Sequence, residues 1–162
     1  MSPLLSNIML NELDGELESR GLKFVRYADD CNIYVRSEKA ANRVMKSITN
    51  YIEKKLGLKV NTEKSKVGKP KDIKFLGYGY YVNKQGKYRP KPHVRSLEKL
   101  KRKLKHLSKR SWSMSFEERV KRLNYVIRGW VNYFKISDMK KALGKLDQKL
   151  RSRLRVVIWK QW

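Results

Sequence analysis

The sequence is poor in acids, in sulfur and in long apolar runs. It holds 15 Asp and Glu against 40 Lys and Arg, a net charge of +25 over 162 residues. So large an excess argues against a cationic partner and for a polyanionic one, because each neutralised phosphate releases condensed counterions. A single cysteine, Cys31, excludes an internal disulfide and a cysteine-built zinc site. His93 and His106 stand far apart without ligand neighbours, which argues against a structural metal site. No apolar run approaches the roughly 20 residues of a membrane-spanning helix, and the N-terminus lacks a signal-peptide pattern. The expectation is a cytoplasmic protein with no membrane association. What the chain does have is 40% hydrophobic residues, enough for a core in one ordinary domain or two small ones.

The positive charge is uneven. Residues 91–162 carry 22 Lys and Arg against five acids, whereas residues 1–90 carry 18 against ten, which predicts two modules. In the first module, Pro3 to Arg20 reads as a helix. Ser2 is its cap, Gly21 its terminator, and Leu5, Ile8/Met9, Glu12/Leu13 and Leu17 its stripe. Residues 22–27 and 31–36 alternate like strands, with Leu22, Phe24 and Arg26 on one face. A second helix runs from the Ser37 cap to Leu56, with Gly57 after it. "LKVN" (58–61) and "IKFLGYGYYV" (73–82) read as further strands, and "NKQG" as a hairpin turn. The two prolines of "KYRPKPHV" (87–94) mark the expected boundary between modules. Three amphipathic helices follow, striped by Leu97, Leu100, Leu104 and Leu107; by Phe116, Val120, Leu123, Ile127, Trp130 and Phe134; and by Met139, Leu143, Leu146, Leu150, Leu154 and Val157. Ser115 and Glu118 form a capping-box pattern at the start of the second. Such stripes predict a small bundle with an outward basic face. The chain opens directly on a cap and ends on "IWKQW" without a breaker, so both ends read as cut.

Between the two strand-like runs, "FVRYADDCNIYV" (24–35) sets Asp29 beside Asp30 at the bend. Adjacent carboxylates repel by roughly 1 kcal/mol even in water. A solvated turn explains them, since Asp tolerates turn conformations. So does a divalent-cation site, because hard ions such as Mg²⁺ prefer carboxylate oxygens and reverse the repulsion. The polyanion-seeking charge favours the second reading.

The motif "YADD" between two strands resembles the active-site motif of reverse transcriptases. "SPLLSNIMLNELD", "LKVNTEKSK" (58–66), "KFLGY" (74–78) and "SWSMSFEERVKRLNYVIRGWVNYF" (111–134) resemble, in order, further blocks of the group II intron reverse transcriptase/maturase family. The resemblance covers nearly the whole chain. It implies an α+β fold: a partial palm of split-βαβ type carrying the YADD hairpin over residues 1–89, then an all-α three-helix thumb, the maturase-specific region, over 90–162. It also implies an RNA-directed DNA polymerase that extends a DNA primer on an RNA template from deoxynucleoside triphosphates, with RNA partners that include the intron. The setting would be a bacterial or organellar interior.

By the same resemblance Asp29 and Asp30 bind catalytic Mg²⁺ (or Mn²⁺), two of a three-carboxylate set. Tyr27 and Ala28 lie by the primer end and nucleotide. Lys64 approaches the triphosphate, although a solvated loop lysine fits the same position. Phe75, Leu76 and Gly77 form the primer grip, where the first two are equally core residues. Ser2, Pro3 and Leu4 border the template pocket, although a helix cap explains the first two. Lys101, Arg102, Lys103, Lys105, Arg119, Lys121, Arg122 and Arg128 are candidate RNA contacts, each equally a solvated charge. Trp112, Trp130, Tyr133 and Phe134 are candidates for base stacking, with Trp130 and Phe134 more at home in the core. The family's third carboxylate and its fingers precede anything in this sequence, and Asp14 on the first helix is no evident substitute. The expectation is therefore a palm-and-thumb piece that does not polymerise by itself, or a non-catalytic RNA-binding splicing module.

Overall fold

A computed structural model describes residues 3–161, which divide between Gly68 and Lys69 into two compact units. The expected Ser2 cap lies outside the described residues. Among those residues no helix is long and apolar enough to cross a membrane.

In the first unit helix α1 (Pro3–Ser19) leads into the antiparallel hairpin β1 (Lys23–Tyr27) and β2 (Asp30–Tyr34), followed by helix α2 (Glu38–Lys54). Gly21, at φ +64°, ends α1, and the Leu22 amide donates to the Leu17 carbonyl at 3.0 Å. Ser37 caps α2 by accepting from the Ala40 amide at 3.2 Å. Leu13, Leu17 and Ile48 are buried, and Leu22, Phe24, Cys31, Ile33, Val44 and Ile52 pack around them. Both helices therefore cover one face of the hairpin, while Val25 and Tyr27 on the other face remain 49% and 64% exposed. The first half of α1 departs from its expected stripe. Leu5 and Ile8 are 49% and 62% exposed, because the helix meets its core only from Leu10 onward.

The second unit begins with a 3-10 turn (Pro70–Asp72) and the hairpin β3 (Tyr78–Val82) and β4 (Tyr88–Pro92). Helices α3 (Val94–Leu107), α4 (Phe116–Tyr133) and α5 (Lys140–Gln161) complete it. Leu100, Leu104, Leu107, Leu123 and Leu146 form the bundle core, with Trp112, Ile127, Trp130, Leu143, Leu150 and Leu154 around them. Each expected helix is present, and Ser115 caps α4 by accepting from the Glu118 amide at 3.2 Å.

Three expectations about strands need correction. Residues 58–61 form no ladder, because an extended run becomes a strand only beside a partner. The proline segment at 87–94 is not an irregular stretch but holds the edge strand β4, where Pro90 and Pro92 can lack a ladder donor. The single split-βαβ sheet is likewise not formed among the described residues, which contain two separate two-stranded sheets. The fold is α+β, with the second hairpin belonging to the same unit as the helices.

Candidate active site and nucleic-acid interface

Ala28 and Asp29 make the two-residue turn between β1 and β2, and Tyr27 pairs with Asp30 across its mouth. Ala28 adopts φ +53°, a left-handed conformation that costs a residue with a Cβ roughly 1–2 kcal/mol. Such a turn needs an anchor, and Arg26 supplies one. Its Nη1 donates to the Ala28 carbonyl at 3.0 Å and to Asn7 Oδ1 at 3.0 Å. Its Nε donates to both carboxylate oxygens of Asp14, at 2.7 and 3.0 Å, and Nη2 closes the fork on Asp14 Oδ2. The Asp14 bonds raise the Arg26 pKa further above its ordinary value despite an opposing effect of burial. One arginine thus ties α1 to the turn. Its phase with Leu22 and Phe24 was the sequence signal: a charge on the core side of a strand requires a partner there.

Asp29 and Asp30 are exposed, and their carboxylates make no hydrogen bond or ion pair among the described residues. Asp14 on α1 is occupied by Arg26. The two free carboxylates fit a hard divalent ion in chemistry and freedom. They do not complete a donor set, since the described residues contain no cluster of three or more His, Cys, Asp or Glu suited to a metal. Behind the turn, Cys31 has its thiol pushed up to about 11 by burial, then by Asp14, so it stays protonated at neutral pH. Lys64 sits exposed in a turn over residues 62–64, its amide donating to Asn61 Oδ1 at 3.1 Å.

In the second unit Phe75, Leu76 and Gly77 form a tight turn closed by the Tyr78 amide donating to Phe75 O at 2.8 Å. Leu76 and Gly77 both have positive φ, +48° and +82°, as a type I′ turn demands. A Cβ on Gly77 would stand 3.2 Å from Ser96 Oγ and 3.3 Å from Phe134 Cζ. The turn is held from two sides. The Gly77 carbonyl accepts from the His93 amide and Ser96 Oγ, both at 2.9 Å, and Tyr133 Oη donates to Leu76 O at 2.8 Å. Tyr78 answers by donating to the Tyr133 carbonyl, and its ring lies 4.9 Å from that of Phe134. Phe134 is buried, Trp130 lies 4.5 Å from it, and Tyr133 spends its hydroxyl on the turn. These aromatics build a platform under residues 75–77.

Lys101, Arg102, Lys103, Lys105, Lys121, Arg122 and Arg128 are exposed on α3 and α4, where backbone phosphates can reach them. Arg119 is the exception and corrects its expected role. It is 1% exposed, and its guanidinium donates to the carbonyls of Leu107 (2.6 Å), Lys109 and Trp112 (both 3.0 Å). Its spacing from Phe116 and Leu123, three before and four after, put it on the buried stripe. Trp112 is half-buried, packed between His106 and the Arg122 guanidinium. Tyr125, absent from the expected set, is 83% exposed on α4.

Comparison with protein families agrees with this division of chemistry. The reverse transcriptase (RNA-dependent DNA polymerase) family model matches residues 1–80, and the group II intron maturase-specific domain model matches residues 97–162. The chain belongs to the group II intron reverse transcriptase/maturase family. By family it is therefore an RNA-directed DNA polymerase sequence, of a class that uses divalent metal ions and handles RNA. No curated protein matches the chain.

Proposed function

We propose that the chain supplies the metal-binding turn and the RNA-gripping helices of a group II intron reverse transcriptase/maturase. One observation carries this reading. On a turn anchored by Arg26, Asp29 and Asp30 are left without partners while the neighbouring Asp14 is neutralised. In this reading residues 1–89 act as palm and 90–162 as thumb, and Asp29 and Asp30 hold Mg²⁺ or Mn²⁺ with a further carboxylate from an upstream segment. Paired divalent ions in such a site activate a primer hydroxyl and stabilise the leaving oxygen. Tyr27 and Ala28 border the primer end, Lys64 approaches the triphosphate, and the Phe75–Leu76–Gly77 turn supports the primer. The helical unit holds RNA mainly through backbone phosphates.

With two of three carboxylates, the 162 residues alone are expected to show no primer extension. Joined to a fingers-and-palm segment of the same family, they are expected to extend a DNA primer on an RNA template with Mg²⁺. Asp29→Asn should then lower that rate about a hundredfold or more. Retained synthesis in Asp29→Asn, or robust extension by the chain alone, would refute the assignment.

That the described residues hold no cluster of three or more His, Cys, Asp or Glu suited to a metal favours a second reading, a non-catalytic RNA-binding splicing module. There, replacing both aspartates with Asn leaves RNA affinity and splicing unchanged, and no upstream segment restores synthesis. Under either reading RNA affinity should fall by about 10³ between about 50 and 200 mM salt for six or more phosphate contacts.

A further inference from the structure

An open groove of ≈ 470 Å³ lies between α3 and α4, lined by Lys103, Leu107, Lys121, Arg122, Tyr125 and Val126. Leu107 and Val126 give it an apolar floor, three cations stand on its walls, and no acid lines it. Tyr125 projects there 83% exposed, and among the described residues neither its ring nor its hydroxyl has a partner. Exposed tyrosines are common taken singly. This one stands one helical turn from Lys121 and beside Arg122, on the rim of an apolar floor.

Arg122 is held in readiness. Its Nε donates to Glu118 Oε1 at 2.7 Å, and its Cζ lies 6.0 Å from the Trp112 ring centroid. Both terminal nitrogens are left without a partner among the described residues. A guanidinium fixed along one edge and open along the other suits a phosphate oxygen pair. An aromatic face between such cations suits an unpaired base whose flanking phosphates reach the walls. A duplex hides its base faces and would use only the cations.

We infer that this groove binds single-stranded RNA, stacking one unpaired base on Tyr125 and seating the flanking phosphates on Lys103, Lys121 and Arg122. The inference rests on the RNA-binding reading above and adds to it a preference for unpaired nucleotides.

The test compares the chain and its Tyr125→Ala and Tyr125→Phe variants at about 0.15 M salt. The probes are a single-stranded RNA of about 12 nucleotides and a blunt RNA duplex of equal length. Tyr125→Ala should weaken single-strand binding about 5- to 100-fold, as expected for one lost base stack. Duplex binding should stay within about twofold, and Tyr125→Phe should bind like the unsubstituted chain. Because Tyr125 is exposed, the variants should melt with the unsubstituted chain, which a thermal scan verifies. Equal weakening of both RNAs, or no weakening of either, overturns the stacking site alone. Failure of the unsubstituted chain to bind either RNA overturns the RNA-binding reading along with it.

Discussion

Each unit holds an arginine on its core side, Arg26 partly buried and Arg119 fully, and the two are satisfied in opposite ways. In the first unit Arg26 meets a carboxylate, Asp14, and uses its remaining nitrogen to fix the Asp29 turn. In the second unit Arg119 meets no acid among the described residues. Three backbone carbonyls from the end of α3 and the following loop receive it, and its Nε has no partner. Arg153 on α5 joins from outside, its Nε donating to Ser108 Oγ at 2.7 Å and its Nη2 to the Lys105 carbonyl at 3.2 Å. The C-terminal end of a helix carries partial negative charge, so two guanidiniums there are favourable without a counter-ion. In a chain with 40 basic and 15 acidic residues, carbonyls are the acceptors in surplus.

The contrast breaks most visibly at Arg119. Arg119→Ala leaves three inward carbonyls without donors, each worth about 1–3 kcal/mol, so the expected loss is about 3 kcal/mol or more. For a unit this size that lowers the melting temperature by roughly 12 °C or more, measurable by circular dichroism. Arg119→Lys should recover only part of it, because an ammonium cannot span three carbonyls as a fork does. A loss below about 1 kcal/mol would mean that the carbonyls find water.

The Arg26 site should respond as a pair. Arg26→Gln and Asp14→Asn are each expected to cost about 1–3 kcal/mol, and the double variant less than their sum by about 1 kcal/mol or more. No second-site change can couple to Arg119 in this manner, since its partners are main chain. Arg26→Gln also releases the Ala28 carbonyl. Amide exchange should therefore quicken at residues 28–30 in that variant, but not in a surface control such as Lys46→Gln. Additive losses would dissolve the comparison.

Much of this was legible beforehand. Caps at Ser37 and Ser115, stops at Gly21 and Gly57, and the 3.6-residue stripes fixed the helices, because those signals are local. Alternation across residues 22–36 found the first hairpin and its acidic bend. What failed was non-local. Residues 58–61 have strand composition but no neighbour, while residues 88–92 have two prolines and gain a strand from β3. Arg119 departs from the solvent-facing expectation for an arginine because its spacing from Phe116 and Leu123 places it inside. Tyr125 gave no sequence signal beyond standing off the stripe. Only the groove beside it makes it notable.

The smallest effect sharpens the comparison from its other side, where positive charge meets a helix start rather than a helix end. His93 caps α3, its Nδ1 accepting from the Arg95 amide at 3.2 Å. That bond needs a neutral imidazole. Burial foremost, then Lys74, Arg95 and Lys91 against a weak opposing Glu98, hold its pKa below the usual 6.5. A base with a lowered folded pKa takes up more protons when unfolded in the window between the two values, so stability there rises with pH. The cap's contribution is complete above about pH 6.5 and is lost as pH falls through the folded value. The second unit should therefore melt at a lower temperature at pH 5 than at pH 7. His93→Asn keeps an N-cap acceptor without a titrating ring and should flatten that slope. An unchanged slope in His93→Asn would place the pH sensitivity elsewhere.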